Sequence, residues 1–150
     1  VAAPALGLLW RGVVGTSAER FRMARDGALS GSETIRTRRW PGQDAIATVS
    51  RSHYEDKTES LLKRLGVNAR QSAGSALKFC RIAEGAADIY PRLSPTCEWD
   101  IAAGHALVTA AGGLVTTPQA SPLVYGNSAG NFLVPGFIAW GDPTQSGGTH

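Results

Sequence analysis

The sequence predicts an α/β fold in which helices and strands alternate along most of the chain. From residue 45 onward the pattern runs strand, helix, strand, helix, strand, which is typical of helices layered on a sheet. Residues 1–40 instead show short alternating segments between turn residues, which indicates antiparallel hairpins in a different sheet. With 150 residues, of which 43% are hydrophobic and 18% charged, the chain can bury a real core.

The hairpin prediction rests on apolar or alternating segments that are separated by glycine. Residues 5–14 are apolar and interrupted by glycines, and residues 20–24 alternate, so a strand pair is expected here. Residues 26–33 (DGALSGSE) have turn composition. The alternating segment TIRTRRW at residues 34–40 then predicts a strand, which Pro41 ends.

A strand followed by a first helix is expected next. Residues 45–50 (AIATVS) are apolar and rich in β-formers. Ser52 and Glu55 have the spacing of a capping box, and Gly66 ends the helix that begins there. Residues 67–71 predict another strand.

Two further helices follow. Residues 75–84 predict the second helix, with Ser75 as its N-cap and Gly85 at its end. A short strand at residues 87–90 precedes a third helix, which is expected from Ile101 to about residue 111. The chain then predicts short strands at residues 114–117, 123–125 and 137–140 and a loose tail at residues 144–150.

Composition narrows the classes of function. The net charge of +3 and pI of about 9.2 come more from arginine than from lysine, which suits contacts with phosphates or carboxylates. The sequence has no arginine-rich tract, zinc-finger spacing or basic strand studded with aromatic residues, so a small anionic ligand is favoured over nucleic acid. No apolar run approaches the ~20 residues that cross a bilayer. Cys80 and Cys97 lack metal-ligand spacing, which favours reduced thiols in the cytoplasm.

Asp100 is the first candidate for chemistry. It stands directly before the predicted third helix, so it has the position of an N-cap. The alternative is that its carboxylate ligates Mg²⁺, which prefers one or two carboxylates together with phosphate and water. The small residues Ala102, Ala103 and Gly104 fit either interpretation, because they let the first turn pack closely against a neighbour.

A second set of candidates has the character of an anion site. Gly74 and Ser75 precede the second helix, where main-chain N–H groups attract anions, and Lys78 follows one turn later. Arg92 lies in a proline-bracketed loop, YPRLSP, and could bind a phosphate with two hydrogen bonds. His53 could stack on a ligand ring. The alternatives are a capped helix with a surface lysine, a solvated arginine and an exposed histidine.

Taken together, several segments resemble a known family. They are SRSH at 50–53, AGSALKFCRIAEGAADIYPRLSPTCEWDIAAGHALVTAAGG at 73–113, and FIAWGDP at 137–143. They resemble the inositol-monophosphatase-like superfamily and, within it, the 3′(2′),5′-bisphosphate nucleotidases of CysQ type. The WDxAAG core at residues 99–104 is typical of the superfamily, and the LKFC and YPR elements indicate the nucleotidase branch.

The resemblance implies a layered α-β-α-β-α sugar-phosphatase-like fold. Residues 1–40 would be the last hairpin strands of the N-terminal antiparallel sheet domain, residues 41–143 the C-terminal α/β domain, and residues 144–150 a loose tail. The resemblance also implies removal of the 3′-phosphate from adenosine 3′,5′-bisphosphate, giving AMP and phosphate, with Mg²⁺ as cofactor.

The resemblance assigns roles position by position. Asp100 matches a carboxylate that binds catalytic Mg²⁺ near the attacking water. Ser75 and Lys78 match positions that hold the second phosphate of the nucleotide, in the segment that begins at Gly74, and Arg92 falls at the same end. Ser52 and His53 match the segment that lines the adenosine side.

One departure from the family qualifies these expectations. Family members carry an upstream glutamate and a DPxDGT-type motif, which supply most metal ligands, and neither occurs in these 150 residues. We therefore expect this chain to be the C-terminal half of such an enzyme, inactive or nearly so alone. The sequence leaves open a homo-oligomer or a separate N-terminal half. It also leaves open an inositol or sugar-phosphate monophosphatase, a non-catalytic anion-binding remnant, and a peripheral location at the inner membrane.

Overall fold

The computed structural model describes residues 1–50 and 56–149 and contains two main β-sheets with three α-helices. The strands are β1 (Ala2–Ala3), β2 (Leu8–Val13), β3 (Ser17–Met23), β4 (Leu29–Ile35), β5 (Ile46–Val49), β6 (Ala69–Ser72), β7 (Ile89–Arg92), β8 (Thr96–Cys97), β9 (Leu114–Thr116), β10 (Leu133–Val134) and β11 (Phe137–Trp140). The helices are α1 (Asp56–Arg64), α2 (Leu77–Ala83) and α3 (Glu98–Ala110). Short 3-10 helices occur at Pro4–Leu6, Gly42–Asp44, Ser128–Gly130 and Pro143–Thr149.

The first sheet is antiparallel, with strand order β1-β2-β3-β4. The predicted pairing of the first two segments is confirmed, since β2 pairs with β3 along its whole length. The strand predicted at residues 34–40 is wrong, because β4 comes earlier and occupies most of the predicted turn at residues 26–33. β4 is an exposed edge strand stabilised by polar pairs such as Arg20 with Glu33, so it lacks the apolar alternation that marks a strand in the sequence.

The second sheet is mixed, with strand order β6-β5-β7-β11-β9. β5 runs parallel to β6 and β7, whereas β11 is antiparallel to β7 and β9. The five strands predicted in this region are confirmed with shifts of at most two residues. The strand predicted at residues 123–125 is wrong. That segment is a loop, which the buried carboxylate of Glu98 holds through the main-chain N–H groups of Gly126 (2.8 Å) and Asn127 (3.1 Å).

The elements form four layers in the order sheet, helices, sheet, helix. One core lies around α2 and α3 between the two sheets, and it includes Trp10, Ala18, Phe79, Ile82, Val108, Val115 and Ala139. A second core lies under α1 on the opposite face of the second sheet, and it includes Val49, Leu61, Leu62, Ile138 and Trp140. The predicted α/β class is therefore confirmed, and the domain division at residue 40 stays a prediction. None of the described helices is long and apolar enough to cross a membrane.

The helix starts differ from those predicted. α2 begins at Leu77 with Ala76 as N-cap, whereas Ser75 adopts a left-handed φ of 47°, which differs from the extended backbone typical of an N-cap residue. α3 begins at Glu98 with Cys97 as N-cap, three residues before the predicted start. The capping box of residues 52–55 lies outside the described residues.

The end of the chain is more ordered than predicted. Pro143–Thr149 forms a 3-10 helix where a loose tail was expected. The carboxylate of Asp142 stabilises its start by accepting hydrogen bonds from the main-chain N–H groups of Thr144 and Trp40, each at 3.0 Å. These bonds join the end of the chain to the segment before β5.

Candidate functional site

Predicted site residues meet in one pocket of about 420 Å³. Its walls include five of them, namely Gly74, Ser75, Lys78, Arg92 and Asp100. The remaining lining residues are Ser50, Phe79, Tyr90, Thr96 and Ile101. Ser52 and His53 lie outside the described residues, although Ser50, two residues before Ser52, lines this pocket. The individual roles of all these residues stay predictions.

The pocket lies where the parallel strands of the second sheet end. Ser50 follows β5, Gly74 lies just beyond β6, and Arg92 is the last residue of β7. The carboxyl ends of parallel strands are the usual place for ligands in open α/β sheets, because the loops that follow the strands meet there. α3 closes the other side and brings Asp100 to the same space.

Lys78 is a buried residue that lines this pocket. Its ammonium group donates hydrogen bonds to the main-chain oxygens of Ala73 (3.2 Å) and Ser75 (3.0 Å). The same nitrogen lies 4.9 Å from the centre of the Tyr90 ring, a cation–π distance. Lys78 therefore brings a positive charge to the pocket and also holds the loop in which Ser75 is left-handed. The sequence predicted the charge but not the contact with the loop.

Arg92 carries a donor that no described residue satisfies. Its Nε is buried and has no hydrogen-bond partner among the described residues, and its Nη2 makes a long bond of 3.4 Å to the main-chain oxygen of Pro95. A buried donor without an acceptor is costly, so such a group is usually completed by a ligand, an ion or water. Because the donor belongs to a guanidinium at a pocket, an anion is the expected acceptor.

Tyr90 is a pocket residue that the sequence analysis missed. It is 4% exposed and lines the pocket on the same strand as Arg92, two residues earlier. Burial raises the pKa of Tyr90 to about 12, an effect that the nearby positive charge of Arg92 opposes. The YPR segment could have identified it, because residues i and i+2 of a strand share one face and Tyr90 therefore lies on the same face as Arg92.

Asp100 lies in the first turn of α3 and not at its N-cap, so the capping interpretation is wrong. Its carboxylate is exposed and accepts a hydrogen bond from the hydroxyl of Thr96 (3.2 Å). Within residues 1–50 and 56–149, no three His, Cys, Asp or Glu side chains form a group that could hold a metal. Asp100 therefore brings one carboxylate to this pocket, and its role as a metal ligand stays a prediction.

Comparison with known proteins agrees with this fold and pocket. The model of the inositol monophosphatase family matches residues 1–136. The 3′(2′),5′-bisphosphate nucleotidase CysQ of Salmonella typhimurium is 47% identical over 92 residues, which are 61% of this chain and 37% of that protein. CysQ of Escherichia coli has the same identity and coverage.

Solved structures give the same result. The crystal structure of CysQ from Bacteroides thetaiotaomicron, a bacterial member of the inositol monophosphatase family, matches 89% of this chain with a TM-score of 0.74 and 35% identity. An inositol monophosphatase from Zymomonas mobilis matches 87% of the chain with a TM-score of 0.64 and 25% identity. The chain spans 53% and 51% of these two proteins and 37% of each of the two CysQ relatives from Salmonella typhimurium and Escherichia coli. The resemblance seen in the sequence is confirmed, and the chain belongs to the inositol monophosphatase family.

Proposed function

We propose that this chain is the nucleotide-binding part of a magnesium-dependent phosphomonoesterase that removes the 3′-phosphate of adenosine 3′,5′-bisphosphate to give AMP and inorganic phosphate. One observation carries the proposal: the cations Lys78 and Arg92 line the same pocket as the carboxylate of Asp100. The CysQ relatives, which are named as bisphosphate nucleotidases, support the same substrate class.

The charges of the pocket suit a ligand with two phosphates. Ser75, Lys78 and Arg92 form a wall that would hold the 5′-phosphate through charge and hydrogen bonds. The 3′-phosphate would then lie towards Asp100. Hydrolysis forms a bond between the oxygen of water and phosphorus and breaks the bond between phosphorus and O3′, which takes up a proton.

The proposal includes Mg²⁺ because Asp100 offers a carboxylate that could bind it. An exposed aspartate next to bound phosphates is a suitable Mg²⁺ ligand, and the bound ion would neutralise phosphate charge and lower the pKa of water. Mg²⁺ demands near-octahedral coordination, and the described residues supply one carboxylate here. The other ligands must come from phosphate, from water or from groups outside the described residues.

From that shortage of ligands we expect the 150-residue chain alone to release phosphate at close to the background rate. The measurement is a phosphate-release assay with Mg²⁺ and adenosine 3′,5′-bisphosphate on the purified chain. Full-length CysQ of Escherichia coli serves as the positive control for substrate and metal. Turnover by this chain at a rate comparable to that control would contradict the expectation.

Nucleotide binding is the test of the pocket itself. We expect Lys78→Ala and Arg92→Ala each to weaken binding of adenosine 3′,5′-bisphosphate by about 1–3 kcal/mol, or about 5- to 150-fold, because each removes a charged hydrogen bond. Isothermal titration calorimetry measures the change. Lys78→Met, which keeps most of the buried volume, separates loss of charge from loss of packing.

The control for these substitutions is Lys63→Ala. Lys63 lies exposed on α1 and does not line the pocket, so its removal changes the net charge equally without touching the site. We expect its affinity to stay within about twofold of the unsubstituted chain. Unchanged affinity in both Lys78→Ala and Arg92→Ala would refute the assignment of this pocket.

An inositol or sugar-phosphate monophosphatase is the alternative within the family, and the structural match to the Zymomonas mobilis enzyme favours it. A single phosphate would leave one of the two cations, Lys78 or Arg92, without an anion. Titration of the chain with adenosine 3′,5′-bisphosphate, AMP and inositol 1-phosphate distinguishes these cases. Tightest binding of inositol 1-phosphate would favour the alternative.

The single carboxylate that the described residues bring to the pocket favours a second candidate, a non-catalytic nucleotide-binding module. Such a module would use Lys78 and Arg92 for binding and would not need a metal. Repeating the nucleotide titration with and without Mg²⁺ separates the two functions. Affinity that is independent of Mg²⁺ would favour the module.

A reducing compartment such as the cytoplasm is part of the proposal. Cys80 and Cys97 are both free thiols, and Cys80 is buried in the core around α2 and α3. Burial raises the pKa of Cys80 to about 12, so this thiol is unreactive near neutral pH.

A further inference from the structure

We propose that Lys78 is a positioning residue that holds the turn at Ser75 in its left-handed conformation and so prepares the pocket wall that meets the second phosphate of the nucleotide. The inference rests on the proposed function, because it concerns how the same pocket binds the same ligand. It gives Lys78 a second role besides its charge, and this role is exerted through the main chain of the turn.

The turn before α2 has a conformation that its sequence does not favour. Ser75 has a φ of 47°, a region in which the Cβ of a residue other than glycine approaches the following carbonyl oxygen too closely. Gly74 precedes it and adds no stiffness, because glycine populates many backbone conformations. A residue in such a conformation persists only when its surroundings hold it there.

The Lys78 side chain supplies contacts that hold this turn. Its ammonium group donates hydrogen bonds to the main-chain oxygens of Ala73 (3.2 Å) and Ser75 (3.0 Å). These oxygens belong to the planar peptide groups that come directly before Gly74 and directly after Ser75. One charged side chain therefore fixes the peptide groups on both sides of the Gly74–Ser75 pair, and hydrogen bonds from a charged donor are the stronger kind.

Lys78 is itself well fixed. Its side chain is 2% exposed, and its nitrogen lies 4.9 Å from the centre of the Tyr90 ring. That ring is held by edge-to-face contacts with Phe79 at 5.1 Å and with Phe137 at 5.0 Å. Because a buried ammonium group without hydrogen bonds is costly, the bonds to the turn are strongly favoured.

The held turn forms part of the binding surface. Gly74 and Ser75 line the pocket that Arg92 and Asp100 also line. A binding loop that is already ordered loses less conformational freedom when the ligand arrives, so the affinity is higher. Loss of Lys78 should therefore weaken binding partly by releasing residue 75 from its left-handed conformation. That part of the loss should disappear when residue 75 is a glycine, which adopts a positive φ readily.

The test compares Lys78→Met in two backgrounds that both lack the Ser75 hydroxyl, Ser75→Ala and Ser75→Gly. We expect Lys78→Met to raise the Kd for adenosine 3′,5′-bisphosphate about fivefold more in the Ser75→Ala background, because alanine disfavours the left-handed region and glycine does not. Isothermal titration calorimetry measures each Kd. An equal rise in both backgrounds would mean that Lys78 acts through its charge alone and would overturn the inference.

The matched control is Lys63→Met in the same two backgrounds. It removes the same charge from an exposed residue of α1 that does not line the pocket. We expect the Kd to change by less than about twofold in either background, since an exposed charge outside the pocket is largely screened. A difference between the backgrounds as large as that for Lys78→Met would overturn the inference, because the effect would then not depend on contact with the turn.

A measurement without nucleotide keeps this inference separate from the proposed function. In ¹⁵N NMR relaxation, the main-chain N–H groups of residues 74–76 should be as rigid as that of Leu107 in α3 and should become more mobile in Lys78→Met, with Leu107 unchanged. Equal rigidity in the variant would overturn the role of Lys78. Mobile signals from residues 74–76 in the unsubstituted chain would overturn it as well, even if Lys78→Met does not fold. If the unsubstituted chain binds no nucleotide, the proposed function fails, while these signals still decide whether Lys78 holds the turn.

Discussion

Replacement of Asp88 by alanine is expected to lower the free energy of unfolding by about 3 kcal/mol. Asp88 is 1% exposed, and its carboxylate accepts two hydrogen bonds from Arg38, both at 2.7 Å, and one from the main-chain N–H of Ile46, also at 2.7 Å. Breaking a buried ion pair costs about 3–5 kcal/mol because it leaves a charge uncompensated. The Arg38 side chain is 40% exposed and can recover some hydration, which places the expected loss at the lower end of that range.

Equilibrium unfolding in urea measures this loss. Two further variants show how much of it comes from the buried ion pair. Glu33→Ala removes a carboxylate that is 61% exposed and paired with Arg20, so its cost should stay below about 1 kcal/mol. Arg38→Ala in the Asp88→Ala background should cost little more, since the ion pair is already broken. A loss for Asp88→Ala no larger than that for Glu33→Ala would show that the network contributes little.

The position of Asp88 links this stability to the candidate site. The residue directly precedes β7, the strand that carries Tyr90 and Arg92. Its main chain donates to the oxygen of Ile46 and accepts from the N–H of Gly141, each at 2.8 Å. Asp88 therefore fixes the start of the strand whose end forms the cationic wall. The hydrogen bonds with Asp88 also raise the pKa of the Arg38 guanidinium, as expected for a cation in an ion pair.

The parts of the fold that could be predicted from the sequence are those with a local signal. The strands of the second sheet other than β6 contain short apolar runs, and all five were found within two residues. β4 was missed because its exposed polar residues pair across the sheet with residues such as Glu19 and Arg20, and periodicity does not record such pairing. The start of α3 was missed for a similar reason, since Glu98 is held by a loop about thirty residues later in the chain.

The candidate site shows the same division between local and distant information. The motif residues Ser75, Lys78, Arg92 and Asp100 were named from the sequence, and the structure brings them to one pocket. The left-handed turn at Ser75 was not predicted, because a serine before a helix ordinarily caps it. Tyr90 was not predicted either, since the contacts that hold its ring at the pocket are made by Phe137 and Lys78, which lie apart from it in the chain.

The second large effect is expected at Gly104 in α3, where alanine should destabilise the protein although alanine is the better helix former. A Cβ on Gly104 would lie 2.3 Å from Cδ2 and 2.8 Å from Cβ of Phe79 in α2, distances that require one helix to move. Overpacking of this kind costs about 1–3 kcal/mol or more, which outweighs the ~1 kcal/mol that alanine gains in helix propensity. Because a kilocalorie shifts the Tm of a chain of this size by about 2–4 °C, calorimetry should detect the net loss.

Gly147→Ala is the matched control, since a Cβ at that exposed glycine would have no atom within 4 Å. The cause of the effect at Gly104 is tested by adding Phe79→Leu, which removes the ring and should make Gly104→Ala less harmful than it is alone. A Gly104→Ala variant as stable as the unsubstituted chain would show that the helices separate without cost. The substitution should also weaken nucleotide binding, because α3 carries Asp100 and α2 carries Lys78. The small residues after Asp100 would then have a specific purpose: Gly104 lets the two helices approach closely enough for a carboxylate and a cation to share one pocket.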